Sequence, residues 1–144
     1  HNNKVSVEKC YKGNNKTISV TEFSNDMHNL YEWSDIIISR AGSMTITEIS
    51  KSGRAAILVP YLYATDNHQY INAEYLASNE AAIIIEENNY FERELYRTLD
   101  ELHQNQERLY KIAINCKNLF PDNSSAIILN NITELDEKFN NTTS

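Results

Sequence analysis

Continuous apolar runs alternate with amphipathic stretches along most of this chain. Asp35-Ile36-Ile37-Ile38 leading to Ser39, Ala55-Ala56-Ile57-Leu58-Val59 ended by Pro60, and Ala81-Ala82-Ile83-Ile84-Ile85 are apolar without alternation, which suits strands covered on both faces of a sheet. Thr17-Ile18-Ser19-Val20 reads as a further strand ahead of the loop Thr21–Asn25. Helical spacing fills the gaps. Asp26 is placed to cap a short helix whose apolar side carries Met27, Leu30 and Tyr31. A helix of about two and a half turns runs from Ser43 to Gly53, and another from about Gln69 to Ser78. After Glu86 the pattern is helical, with Leu95, Leu99 and Leu102, then Leu109, Ile112, Ala113 and Cys116, until Pro121. Ser124 or Ser125 opens a last helix through Ile128, Ile132 and Leu135, and a short helix is expected near Val7–Tyr11 before a turn at Gly13-Asn14-Asn15. Trp33 is expected to pack in the core beneath the central helix.

Strand and helix thus alternate four times before helices close the chain. That order implies an α/β class, a Rossmann-like parallel sheet with flanking helices and right-handed crossovers. Ligands of such sheets bind at the carboxyl ends of the strands, near a topological switch point. The loops Thr21–Asn25, Arg40–Ser43 and Tyr61–His68 leave those ends.

The stretch Ser39-Arg40-Ala41-Gly42-Ser43-Met44-Thr45-Ile46-Thr47-Glu48 carries the candidate chemistry. Gly42 lets a ligand approach the backbone, and Gly53 suits the left-handed residue that ends a helix. A helix head above a parallel sheet aims unpaired N–H groups and a positive dipole end into the crevice, a seat for phosphate. Thr45 and Glu48, three apart, share a helix face. Thr45 can hold a phosphate oxygen and Glu48 a ribose diol. A Gly-Ser start followed by Thr and Glu is also ordinary capping chemistry, and the stretch alone does not separate the two readings.

Composition narrows the field. The chain has 144 residues, 41% of them hydrophobic and 23% charged, enough for one domain with a real core. A formal net charge of −7 argues against nucleic acid or an anionic membrane surface as the main partner. No run approaches the roughly 20 apolar residues of a membrane span. Cys10 and Cys116 stand far apart without a CxxC pair and read as reduced thiols of a cytosolic protein. No Asp-x-Asp pair and no His/Asp cluster at ligand spacing suggests a metal, and no cofactor is expected. Triplets such as Asn15-Lys16-Thr17 and Asn123-Ser124-Ser125 are attributed to asparagine abundance rather than glycosylation. A chain that starts at His1 without a signal peptide is expected to be a piece of a longer protein.

Taken in order, Val20-Thr21-Glu22-Phe23-Ser24-Asn25-Asp26-Met27, Trp33-Ser34-Asp35, the Ser39–Glu48 stretch, Val59-Pro60-Tyr61 and Asp66-Asn67-His68-Gln69-Tyr70-Ile71-Asn72-Ala73 closely resemble the carboxyl-terminal domain of the MurG family of bacterial glycosyltransferases. The similarity covers roughly residues 18–135. It implies the carboxyl-terminal half of a glycosyltransferase-B fold, with residues 1–16 a remnant of the start of the donor domain, 17–139 the UDP-sugar-binding domain and 140–144 a frayed tail. It also implies transfer of N-acetylglucosamine from UDP-N-acetylglucosamine to an undecaprenyl-linked muramyl-pentapeptide, lipid I to lipid II. By the resemblance, the loop of Phe23 and Ser24 lies along the uracil, and Gly42, Ser43, Met44 and Thr45 face the diphosphate. Glu48 takes the ribose, Arg40 sits at the strand end, His68 and Gln69 are on the sugar side, and Asn72 is a further donor-binding residue. The family has a larger apolar residue in place of Ser24 and two consecutive glutamines where this chain has His68-Gln69. The acceptor site, the catalytic base and peripheral contact with the inner face of the bacterial membrane belong, by the same resemblance, to an amino-terminal domain absent here. The chain alone is therefore expected to bind donor without turnover. Another UDP-sugar transferase, a nucleotide-sugar epimerase, or a non-catalytic donor-binding subunit remain alternatives on the same fold.

Overall fold

A computed structural model describes residues 2–11, 18–61 and 67–120. Its elements run α1 (Asn2–Tyr11), α2 (Met27–Trp33), β1 (Ile36–Ser39), α3 (Ser43–Ser52), β2 (Ala55–Leu58), α4 (His68–Ser78), β3 (Ile83–Ile84), α5 (Phe91–Gln104) and α6 (Gln106–Leu119). The three strands form a parallel sheet in the order β1-β2-β3, with Ile37 opposite Ala56 and Leu58 opposite Ile84. The bonds Val59 N–H to the Ser39 carbonyl at 2.8 Å and Ile85 N–H to the Leu58 carbonyl at 3.0 Å carry the pairing past the strand ends.

Strands added in one direction by right-handed crossovers put both crossover helices on one face. Accordingly Ile37, Ala56 and Leu58 pack with Ile46 and Ile49 of α3, Ala73 and Leu76 of α4 and Tyr31 of α2. Ala55 and Ile57 point the other way, as the strand period of two requires, onto Leu102 of α5 and Ile112 of α6. Every residue of β2 is buried, which explains its unbroken apolar run.

Local chemistry sets the boundaries. Asp26 caps α2 by accepting from Asn29 N–H, as its position suggests. Gly53 ends α3 in the left-handed conformation, φ 63° and ψ 39°. The helical stretch after Glu86 is divided at Asn105, which closes α5 and caps α6 by accepting from Arg108 N–H at 3.0 Å.

Several expectations are corrected. Ile18–Val20 form no strand, so the described sheet has three strands rather than four, and its order does not reverse at a switch point. The strand expected over 81–85 is confined to Ile83–Ile84, with Ala81, Ala82 and Ile85 buried beside it. Trp33 is not core: it is 84% exposed, because the Met27–Leu30–Trp33 stripe of α2 faces outward and Tyr31 alone turns inward. The turn near Gly13, the helix after Ser124 and the tail lie outside the described residues. No helix among the described residues is long and apolar enough to cross a membrane.

The two cysteines differ sharply. Cys10 is exposed, whereas Cys116 is fully buried against the Ser50 hydroxyl, Sγ to Oγ 3.4 Å. Burial pushes the Cys116 thiol above its ordinary pKa, and the Ser50 contact offsets only part of that. Iodoacetamide should therefore alkylate Cys10 alone in the native chain and both thiols in denaturant, read by mass spectrometry.

Candidate functional site

The head of α3 emerges at the carboxyl end of β1, where the sequence places it. Ile46, Ile49 and Ser50 form the buried stripe of α3, at the i, i+3, i+4 spacing of a helix packed on one side. Met44, Thr45 and Glu48 fall on the remaining arc; Met44 is 79% exposed and Glu48 is exposed. Gly42 is the N-cap residue, with its carbonyl accepting from Ile46 N–H at 2.9 Å and no side chain capping the head. The N–H groups of Ser43, Met44 and Thr45 thus have no helical acceptor, and the positive dipole end points outward with them.

The surrounding nominated residues build a frame for that head. Asn72 of α4 donates through Nδ2 to the Ala41 carbonyl at 3.2 Å and to Ser43 Oγ at 3.3 Å, tying α4 to the start of α3. Arg40 donates from Nη1 to the Val59 carbonyl at 3.2 Å and pairs through Nη2 with Glu87 at 2.7 Å, while its guanidinium lies 5.5 Å from the centre of the Tyr61 ring. One side chain therefore links the ends of β1, β2 and β3. Gln69 accepts the Tyr61 N–H at 3.0 Å, fixing the chain as it leaves β2. His68 is the first residue of α4 rather than the end of a loop, is exposed, and follows Asn67 in the left-handed conformation at φ 54°. Ser24 Oγ accepts from Asp26 N–H at 3.1 Å ahead of α2, and Phe23 beside it is 80% exposed.

Sequence reasoning missed three members of this arrangement. Tyr31 donates its hydroxyl to Glu48 Oε2 at 3.0 Å, and Glu87 and Tyr61 hold Arg40. The partners are separated by 17 and 47 positions for Tyr31 and Glu87, so no local spacing signals them.

The head of α3 and its frame form a shelf at the carboxyl ends of the strands. Three concavities lie at the opposite, amino ends of the strands, lined for example by Glu80, Asn105 and Lys111, by Gly53, Arg54 and Lys117, or by Ile36, Leu99 and His103. In the first of these, Lys111 is paired with Glu80 at 2.6 Å; in the second, Arg54 donates to the Glu32 carbonyl. The exposed amides of α3 are the stronger candidate chemistry, because they combine unsatisfied donors with a favourable dipole. Among the described residues, no group of three or more His, Cys, Asp or Glu is placed to hold a metal ion.

A model of the glycosyltransferase family 28 C-terminal domain matches residues 1–126. This chain belongs to that family. Relatives named UDP-N-acetylglucosamine–N-acetylmuramyl-(pentapeptide) pyrophosphoryl-undecaprenol N-acetylglucosamine transferase support the placement. The one from Coxiella burnetii (strain RSA 493 / Nine Mile phase I) is 38% identical over 113 residues, covering 78% of this chain and 32% of its own length. That from Haemophilus ducreyi is 42% identical over 97 residues, covering 67% and 27% respectively. The crystal structure of Acinetobacter baumannii MurG superposes with a TM-score of 0.74 at 29% identity, over 92% of this chain and 39% of that one. The described sheet and its helices are thus the family 28 carboxyl-terminal unit, half of a glycosyltransferase-B fold. The chain spans about a third of the length of the curated relatives it matches.

Gly42 has room for a side chain. Its φ of −69° is open to any residue, and an added Cβ would meet nothing nearer than Thr45 Oγ1 at 3.7 Å. Gly42→Ala loses N-cap preference and gains from a stiffer unfolded chain, two effects of about 0.5–1 kcal/mol that oppose each other. Urea unfolding of the variant should stay within about 0.5 kcal/mol of the parent.

Proposed function

We propose that this domain holds UDP-N-acetylglucosamine for an inverting glycosyltransferase that moves N-acetylglucosamine onto lipid I to make lipid II in peptidoglycan synthesis. The observation that carries the reading is the uncapped head of α3, with Glu48 one turn further along the exposed side of the same helix. The names of the family 28 relatives supply the donor and acceptor chemistry.

In this reading the N–H groups of Ser43, Met44 and Thr45 and the Thr45 hydroxyl hold the pyrophosphate, with Gly42 leaving room for it. As the bond to the sugar breaks, charge grows on the leaving diphosphate, and preorganised N–H groups lower that barrier. Glu48 accepts the ribose hydroxyls, and the Phe23–Ser24 segment lies beside the uracil. Ser24 offers little area for stacking, so Phe23, already exposed, provides the apolar contact. Arg40 and Asn72 act chiefly as the frame, since a phosphate on Arg40 would have to displace Glu87. Gln69 and His68 face the sugar. An imidazole supplies fewer hydrogen-bonding groups than an amide, which loosens discrimination among sugars at that position.

The acceptor hydroxyl attacks the anomeric carbon in a single displacement, with a general base taking its proton. No residue of this chain is assigned that role. The base, the lipid-linked acceptor and contact with the cytoplasmic face of the bacterial membrane belong, in this proposal, to the part of the full-length protein that the relatives have beyond this chain. The 144-residue chain is accordingly expected to yield no lipid II from lipid I and donor in a radiolabelled transfer assay; product formation would refute the division of labour.

Calorimetric titration tests the site itself. UDP and UDP-N-acetylglucosamine should bind, with UDP-glucose as the comparison for sugar selectivity. Glu48→Gln should weaken UDP by about 1–3 kcal/mol, because charge-assisted bonds to the ribose are lost. Gly42→Ala should weaken it as well, although the fold is unaffected. Unchanged UDP affinity in Glu48→Gln would remove the ribose assignment.

A further inference from the structure

Glu48 is an exposed glutamate on a helix, and such a side chain ordinarily samples several rotamers, a freedom that is lost when a ligand fixes it. Here it is not left to do so. The Tyr31 hydroxyl reaches across from α2 and donates to Oε2 at 3.0 Å. Tyr31 itself is 8% exposed and packed in the core cluster with Ile37, Ile46 and Ile49. Its ring is therefore anchored, and only the hydroxyl projects to the edge of the shelf. Burial and the bond to Glu48 push the phenol above its ordinary pKa, so the hydroxyl stays protonated and remains a donor at neutral pH.

We propose that Tyr31 is a positioning residue: it holds the Glu48 carboxylate in the orientation that receives both ribose hydroxyls, and so sets the preference for a ribonucleotide. The proposal rests on the ribose assignment of Glu48 made above. A carboxylate offers about four lone-pair directions. The phenol takes one on Oε2, and the remaining directions serve the two hydroxyls of the diol. Because the tether is in place before the ligand arrives, the ordering cost is met by folding and not by binding. α2 thereby gains a function beyond covering the sheet, since its packing against α3 is transmitted to the ligand-facing carboxylate.

The test uses the 144-residue chain with two probes, UDP and its dideoxy analogue lacking both ribose hydroxyls. Tyr31→Phe keeps the ring in the core and removes the tether alone; circular dichroism and thermal unfolding check the fold. UDP affinity should fall about tenfold, the fold-change that corresponds to ordering a free glutamate side chain on binding. Affinity for the dideoxy analogue should stay within about twofold, so the ratio between the probes collapses. In a Glu48→Gln background, Tyr31→Phe should add nothing to that ratio. Equal weakening of both probes by Tyr31→Phe would mean a purely structural contact and overturn the proposal. So would an unchanged UDP affinity in Tyr31→Phe while Glu48→Gln weakens UDP, an outcome that leaves the ribose assignment standing. If Glu48→Gln itself has no effect, the ribose assignment fails first and the proposal with it. Glu48→Asp gives a second route that leaves the core untouched. Its shorter side chain withdraws from the phenol, and a full retention of the probe ratio in that variant would also overturn the proposal.

Discussion

The amide hydrogens at the head of α3 are donors that the protein does not cap with a side chain, and the polar residues nearby serve to hold that head still. Asn72 fixes the start of the helix to α4, and Arg40 fixes the strand ends to one another. Leaving such donors unsatisfied in water costs little, because water pairs with them until a ligand replaces it. The proposed site would therefore be prepared by rigidity of the frame and not by burial. The one-directional order of the strands supports this arrangement, since both crossover helices then lie on one face and their heads emerge on the same shelf.

Charge is a local matter here. The chain as a whole is acidic, yet a diphosphate experiences the nearest dipole and donors more strongly than distant carboxylates, which salt screens beyond roughly 10 Å. On α5, Glu101 is paired with Arg108 of α6, away from the head of α3. Net charge properly argues against extended polyanions as partners, and it says little about one compact anion seated on a helix head.

Much of the fold was legible because it follows from local rules. Buried strands write themselves as apolar runs, Gly53 marks the left-handed end of α3, and Asp26 marks the start of α2. What was not legible depends on neighbours distant in sequence. Thr17-Ile18-Ser19-Val20 has the composition of a strand, but a strand requires a partner, and Ile18–Val20 have none in the sheet. Trp33 looks like core from its size alone; its position on a helix only seven residues long, with Tyr31 taking the inward direction, turns it to the outside. The site shows the same division. The helix head and the Thr45–Glu48 spacing could be read from a dozen consecutive residues, whereas the engagement of Arg40 by Glu87 and of Glu48 by Tyr31 exists only once the sheet and α2 are assembled.

Beneath the shelf, Ser50 and Cys116 meet where α3 crosses α6, each fully buried. The serine hydroxyl is already satisfied by its own helix, donating to the Ile46 carbonyl at 2.8 Å, so its value at this crossing lies in being short. Compact side chains let the two helix backbones come close, and interiors at this density yield poorly to added volume. The height and tilt of α3 over the sheet are thus set by a shim on its underside. Bulkier residues at this crossing would lever the upper end of α3 out of alignment without touching any residue of the proposed site.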